Sequence, residues 1–128
     1  VSHHTVRMGE LPLDLVAEVA AAQDVPVIVD MASEYDLTGP ARLGVAAAVW
    51  SGHKFLGGPT SGIVAGRRAF VRAVALQNCG LGRLMKVGKE GIAGAVAALE
   101  AWGRRDHAGE RAREEGIVAL WEERLAGL

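Results

Sequence analysis

Residues 25–30 read VPVIVD, a run of β-branched residues that begins around a proline and ends on Asp30. A short continuous apolar run of this kind is typical of a strand buried in a parallel sheet, and Pro26 is tolerated at its start. The run VAAAVW at residues 45–50 predicts the next strand, and residues 63–65 predict a third. Because only a loop separates the second and third runs, we expect them to be antiparallel neighbours.

Helices are predicted on both sides of these strands in the chain. Apolar residues recur at helical spacing over residues 11–23, where Pro12 suits the first turn. Further helices are predicted over residues 67–77, 89–102 and 109–125, with a turn at 78–82 and a loop through Tyr35, Gly39 and Pro40. The order helix, strand, strand, strand, helices is typical of an α/β protein. We therefore expect a mixed, mostly parallel sheet flanked by helices, plus a C-terminal helix.

The composition excludes several functional classes. The 128 residues are 50% hydrophobic and 23% charged, enough apolar surface for a core in one domain or in part of a larger one. A net charge of -1 provides no strong attraction to nucleic acid or to an anionic membrane. The single cysteine, Cys79, excludes an intramolecular disulfide and a Cys-cluster zinc site, and it fits a cytoplasmic location. No apolar run reaches the roughly 18–20 residues of a membrane span, and His3 and His4 lack a third ligand for a metal.

Two polar residues follow the first two predicted strands. Asp30 ends the first, and Lys54 lies in the Gly- and Pro-rich segment SGHKFLGGPTSG at residues 51–62. Because ligands bind outside the carboxyl ends of parallel strands, both side chains could reach one crevice. A lysine there could form a Schiff base, and a carboxylate could keep a pyridine nitrogen protonated, as pyridoxal 5'-phosphate (PLP) enzymes require. Taken alone, an aspartate after a strand is more often a turn former or helix cap and a loop lysine is more often solvated, so the pair is weak evidence by itself.

Three spaced motifs carry a family resemblance. They are PVIVDMAS at residues 26–33, SGHKFLGGPTSG at 51–62 and GRLMKVGKE at 82–90. In this order they resemble the fold-type-I PLP enzymes of the selenocysteine synthase-like family, which includes L-seryl-tRNA(Sec) selenium transferases. The string MKVGKE is more similar to the D-glucosaminate-6-phosphate ammonia-lyase-like branch. The resemblance extends over residues 13–102 and implies PLP as the cofactor.

The resemblance implies roles for the matched residues. Lys54 would form the Schiff base with PLP and move a proton at the substrate α-carbon, while Asp30 would pair with the pyridinium nitrogen. Ala32 would pack on one face of the ring. Ser51 would donate its hydroxyl to the cofactor phosphate, and His53 would orient the lysine or contact that phosphate. A core residue at 32, a strand-end turn at 51 and a simply packed histidine at 53 remain alternatives.

Further candidates lie beyond the lysine. Gly57, Gly58 and Thr60 offer backbone and hydroxyl donors for a phosphate, in the same subunit or a neighbouring one. Arg83 and Lys86 are candidates for gripping a substrate carboxylate or phosphate, with ordinary surface charge as the alternative.

Several parts of the family pattern have no counterpart in this sequence. These are an earlier phosphate-binding turn, the side chain on the other ring face, most of the small domain and the N-terminal tRNA-binding region. The chain also begins with Val1 rather than Met. We therefore expect a fragment holding the second half of the large PLP-binding domain. Residues 1–102 would form the partial large domain, and residues 103–128 a helix leading to a mostly missing small domain.

The expected function is elimination or replacement on an amino acid or amino sugar acid by a PLP-dependent lyase or transferase that forms a homo-oligomer. The alternative is a truncated, non-catalytic remnant that acts only by associating with a partner chain. A third class is a nucleotide-binding domain that uses residues 57–62 as a phosphate loop. That segment lacks the GxxxxGK[ST] pattern and does not open an obvious helix.

Overall fold

The computed structural model describes residues 11–127. Its helices and strands are α1 (Leu13–Ala22), β1 (Ile28–Asp30), α2 (Gly39–Arg42), β2 (Ala47–Ser51), β3 (Gly62–Gly66), α3 (Arg68–Leu76), α4 (Lys89–Trp102) and α5 (His107–Leu125). Two 3₁₀ helices, Gln77–Cys79 and Leu81–Met85, join α3 to α4 where the sequence predicted a single turn. The predicted strands and long helices are confirmed, with bounds that shift by up to three residues.

The strands form one mixed sheet in the order β1-β2-β3. Strand β2 pairs with β1 in parallel, with Val29 opposite Ala48, and with β3 in antiparallel, with Val49 opposite Val64. The expected antiparallel pair is therefore confirmed. Strand β1 is shorter than predicted, although the Val27 carbonyl still accepts a hydrogen bond from the Ala46 N–H at 2.8 Å.

One face of the sheet carries the core. Its buried cluster consists of Val29, Met31, Val45, Ala48 and Trp50. Because side chains alternate between the two faces of a strand, the burial of residues 29, 48 and 50 directs the side chains of residues 30, 49 and 51 to the opposite face. The core thus determines the side of the sheet on which Asp30 and Ser51 lie.

The segment predicted as a loop around Gly39 and Pro40 contains the short helix α2, so that part of the prediction was wrong. The Asp36 carboxylate accepts hydrogen bonds from the N–H groups of Thr38 and Gly39, both at 2.8 Å, and from the Thr38 hydroxyl at 3.1 Å. Pro40 stands in the first turn of the helix, where its missing N–H costs nothing. An added Cβ at Gly39 would overlap the Asp36 carboxylate and would have to displace it.

These hydrogen bonds make α2 sensitive to acid. The Gly39 and Thr38 N–H groups lower the pKa of the Asp36 carboxyl below its ordinary value. Since the folded-state pKa is the lower one, the carboxylate stabilises the fold above the unfolded-state pKa. That contribution is lost as the pH falls through the folded-state pKa.

Much apolar surface stays exposed on the described residues. On α1 and the segment after it, Leu15, Val19, Val25 and Ile28 remain accessible, and on α5 the Trp121 side chain is 63% exposed. The outer edge of β1 has no partner strand within residues 11–127. None of the helices in these residues is long and apolar enough to cross a membrane.

We predict that Asp36→Ala lowers the free energy of unfolding by about 1 kcal/mol at neutral pH, the usual cost of a lost side-chain cap. Gly39→Ala displaces the same carboxylate and should cost a similar amount. The double variant should cost little more than either single change, because both remove one interaction. Urea unfolding at neutral and acidic pH measures this. Fully additive losses, or an Asp36→Ala loss that persists unchanged in acid, would contradict it.

We also predict that the 128-residue chain self-associates, because an unpaired strand edge and exposed apolar patches favour pairing with another chain. Sedimentation velocity over a range of protein concentrations should show species larger than the monomer. A monomer at every concentration, with strong amide protection throughout residues 25–64, would show instead that these residues form a self-sufficient domain.

Candidate active site

Asp30 lies at the carboxyl end of β1 with its side chain exposed. Its Oδ1 accepts a hydrogen bond from the Ala32 N–H at 2.9 Å. The next residue, Met31, is buried and donates its N–H to the Val49 carbonyl at 2.8 Å. The backbone on both sides of Asp30 is therefore fixed, and one carboxylate oxygen is held in place.

Lys54 lies in the loop that follows β2 and reaches the loop that follows β1. Its Nζ donates a hydrogen bond to the Ser33 Oγ at 2.5 Å. Ser33 comes three residues after Asp30, so the contact joins the two strand-end loops as the parallel arrangement predicted. Ser33 itself was missed as a contact. Ser33 is the last residue of the first motif. Its hydroxyl in the loop after β1 could have been predicted to contact the lysine in the neighbouring loop.

The lysine-bearing loop, residues 52–61, is built from turns that close on themselves. The Gly57 N–H donates to the Lys54 carbonyl at 3.1 Å, and the Gly58 N–H donates to the Gly52 carbonyl at 2.7 Å. Gly57 has φ +70°, a conformation that other residues rarely adopt. At Gly58 an added Cβ would lie 3.0 Å from the Ala98 Cβ on α4. Gly57 is thus favoured by its backbone conformation, and Gly58 by the close approach of the Gly52 carbonyl oxygen (2.9 Å) and of α4.

These bonds bear on phosphate binding. Of the three predicted phosphate donors, Gly57 and Gly58 already use their N–H groups in hydrogen bonds within the loop. The third, Thr60, is exposed and has a hydroxyl that could donate to a phosphate. The loop leads into strand β3 and not into a helix. A nucleotide-binding phosphate loop at residues 57–62 would need free N–H groups and a helix N-terminus, so this geometry does not fit it.

Ser51 and His53 form a pair at the end of β2. The Ser51 Oγ and the His53 Nδ1 lie 3.0 Å apart, with the donor set by the histidine tautomer. Ser51 is half-buried and His53 is exposed. Ala32 is also half-buried and lines a narrow void with Ser51 and Phe55. Ala32, Ser51 and His53 are therefore near the strand ends where the sequence placed them.

An aromatic cluster supports the lysine loop from one side. The centroid of the Tyr35 ring lies 4.0 Å from that of Phe55 and 5.6 Å from that of Trp102. The ring centroids of Trp102 and His107 are 4.4 Å apart. Burial raises the pKa of the Tyr35 hydroxyl, and the nearby Glu114 carboxylate raises it further. The cluster connects the loops after β1 and β2 to the junction of α4 and α5.

The remaining candidates lie elsewhere or outside the described residues. Arg83 and Lys86 are exposed on and just after the second 3₁₀ helix, beside Leu84, which is 93% exposed. The Arg83 N–H donates a local hydrogen bond to the Gly80 carbonyl at 3.0 Å. Their substrate role stays a prediction. His3 and His4 lie outside the described residues. Within residues 11–127 no three His, Cys, Asp or Glu side chains form a metal-binding group.

With the site in place, comparison with known proteins assigns the family. Residues 10–119 match the family model described as SelA: L-seryl-tRNA selenium transferase. The chain belongs to this family. The predicted resemblance is therefore confirmed.

Individual relatives agree with the family match. The chain is 43% identical over 99 residues to D-glucosaminate-6-phosphate ammonia lyase of Salmonella typhimurium, covering 77% of the chain and 27% of the relative. It is 39% identical over 99 residues to 5'-C-glycyluridine monooxygenase-decarboxylase of a Streptomyces species, covering 77% and 25%. It is 34% identical over 119 residues to L-seryl-tRNA(Sec) selenium transferase of Nitratidesulfovibrio vulgaris, covering 83% and 24%. The chain thus spans about a quarter of the length of these relatives.

The fold agrees with a solved structure as well. The structure of a D-glucosaminate-6-phosphate ammonia-lyase superposes with a TM-score of 0.76 at 40% identity, covering 83% of this chain and 29% of that one. The expected fold class, part of a large α/β domain, is confirmed. The higher identity to the ammonia lyase than to the selenium transferase agrees with the predicted branch.

Proposed function

We propose that this chain carries the cofactor-attachment centre of a PLP-dependent lyase or transferase. The observation that supports it most is the hydrogen bond from the Lys54 Nζ to the Ser33 Oγ. That bond brings the lysine to the carboxyl ends of the parallel strands β1 and β2, where Asp30 lies. An amine and a carboxylate at one sheet edge are the two groups that PLP chemistry requires of a protein.

The residues at this edge fit PLP by their chemistry. The exposed Lys54 amine can bond to the cofactor aldehyde, and the Asp30 oxygen not bonded to Ala32 can accept the ring N–H. Ser51, His53 and Thr60 supply polar groups for the phosphate, while Gly57 and Gly58 shape the loop. When bound, PLP supplies an electron sink that stabilises negative charge on the α-carbon of an amino acid.

Each residue then has a defined task. Lys54 holds the cofactor and afterwards moves the proton at the substrate α-carbon, a role open to an amine within reach of that atom. Asp30 keeps the ring nitrogen protonated. Ala32, small and half-buried, leaves room for one ring face. The Ser51–His53 pair orients one hydroxyl and one imidazole nitrogen at the phosphate end.

The reaction class rests on the relatives' names. They are named as a lyase, a monooxygenase-decarboxylase and transferases, so the family uses related sites for different reactions. We propose elimination or replacement on a small amino acid or amino sugar acid, since the ammonia lyase is the most similar of these three. Arg83 and Lys86 would contact the anionic end of that substrate. We further propose that the protein forms a homo-oligomer in the cytoplasm. Within each chain, residues 1–102 would belong to the large domain and residues 103–128 would lead to the small domain.

The second candidate is a non-catalytic remnant that works only through a partner chain. One observation favours it: Leu15, Val19 and Trp121 remain exposed and could pack against a partner chain. Cofactor attachment separates the two candidates, because a remnant has no reason to select Lys54 among its lysines.

We predict that PLP followed by borohydride modifies Lys54 in the unaltered chain and that Lys54→Ala removes the adduct without unfolding the protein. The side chain is exposed, so its loss leaves the core intact. Mass spectrometry of the peptides locates the adduct, and Lys86→Ala is the matched control that should retain it. An adduct found on Lys86 or Lys89 in place of Lys54 would refute the assignment.

We predict that Asp30→Asn still accepts PLP on Lys54 but slows PLP-dependent exchange of an amino-acid α-proton by about 100-fold, the scale of removing one preorganised electrostatic partner. An amide cannot keep the ring nitrogen protonated as a carboxylate does. Exchange into heavy water, followed by proton NMR, measures the rate. Equal exchange in the variant and the unaltered chain would exclude Asp30 as the ring partner.

A further inference from the structure

The Lys54 loop receives two hydrogen bonds from an arginine far along the chain. The Arg105 Nη1 donates to the Phe55 carbonyl at 2.7 Å, and its Nη2 donates to the Leu56 carbonyl at 3.1 Å. These carbonyls belong to the two residues directly after Lys54. Residues 54–57 form a turn that is closed by the hydrogen bond from the Gly57 N–H to the Lys54 carbonyl. The guanidinium thus binds the carbonyls of the two middle residues of that turn.

The turn leaves these two carbonyls in need of an outside partner. In a turn of this kind the closing bond uses only the first carbonyl and the last N–H. Leu56 as a whole is 3% exposed, so its backbone is buried as well, and an unpaired carbonyl there is costly. A charged donor with two parallel N–H groups satisfies both oxygens at once and makes stronger hydrogen bonds than a neutral donor.

Arg105 is itself held in place. It lies in the turn between α4 and α5, and its guanidinium stands 5.3 Å from the centre of the Trp102 ring. Trp102 contacts Tyr35, and Tyr35 stacks on Phe55. Phe55 is therefore fixed through its carbonyl by Arg105 and through its ring by Tyr35.

We infer that Arg105 is a positioning residue for Lys54. Its guanidinium fixes the turn that carries the lysine, and through that turn it sets where the Lys54 amine lies relative to Asp30. The inference rests on the proposed function, because the position of the Lys54 amine matters only if that amine binds the cofactor. The pair of hydrogen bonds from Arg105 to the Phe55 and Leu56 carbonyls, here called the clamp, does not depend on that function.

The chain offers matched variants for a test. Arg105→Ala removes both hydrogen bonds, and Arg105→Lys keeps the charge but cannot bridge two carbonyls with a planar fork. Arg104→Ala is the control, because Arg104 is the neighbouring exposed arginine. Circular dichroism first checks that each variant keeps the helical content of the unaltered chain. Added methylguanidinium can fill the space left in Arg105→Ala.

Two readouts then separate a positioning role from a purely structural one. The first is amide hydrogen exchange at Gly57 and Gly58, whose N–H groups close the turns of the loop. The second is the fraction of borohydride-fixed PLP on Lys54 relative to Lys86 and Lys89. We expect Arg105→Ala to speed exchange at both glycines at least tenfold and to lower the preference for Lys54 at least tenfold. Arg105→Lys should restore part of each, methylguanidinium most of each, and Arg104→Ala should change neither.

The contrary results are distinct. Unchanged exchange at Gly57 and Gly58 in Arg105→Ala overturns the clamp. Faster exchange with an unchanged preference for Lys54 overturns the positioning role, as does a failure of methylguanidinium to restore either readout. An unaltered chain that shows no preference for Lys54 refutes the proposed function, and the positioning role falls with it. In that case the exchange data alone decide whether Arg105 orders the loop.

Discussion

The parallel pairing of β1 with β2 brings Asp30 and the Lys54 loop to the same end of the sheet. Hydrogen bonds between these strands place Asp30 opposite Val49, and both strands therefore end at the same edge of the sheet. The loop after β2 begins at that end of the sheet, and within it the Lys54 amine reaches Ser33 in the loop after β1. An antiparallel pair would have sent the two loops to opposite ends of the sheet. The chemistry proposed for Asp30 and Lys54 thus depends on the parallel direction of β1 and β2 as well as on the identity of the two side chains.

The sequence predicted the parts of the fold that depend on local pattern. Short apolar runs located β1 and β2, and the helix predicted over residues 89–102 coincides with α4. Helix α2 escaped prediction because it has only four residues and depends on one carboxylate, that of Asp36, three positions before it. A pattern based on apolar periodicity cannot detect a helix that is stabilised by a side chain outside it.

The supporting contacts of the site were beyond the reach of the sequence for another reason. Tyr35, Phe55, Trp102 and Arg105 come together only through the packing of α4 and α5 beside the lysine loop. No spacing rule joins residues 50 positions apart. Asp30 and Lys54 could be found because Asp30 ends β1 and Lys54 lies in the loop after β2, whereas Arg105 follows a helix and resembles any surface arginine. The family motifs located the groups proposed to do the chemistry and said nothing about the groups that hold them.

The alternation of side chains along β2 has a consequence for how this protein can vary. Trp50 is buried in the core and Ser51 points to the other face, three residues before Lys54. Inserting or deleting a single residue in β2 would exchange the two faces, bringing a hydroxyl into the core and an indole to the opposite surface. The register of β2 therefore cannot shift by one residue without moving Ser51 from the proposed site into the core. At the other end of β2 the constraint is of another kind: a Cβ added at Gly44 would meet open space, but the φ of +71° there favours glycine.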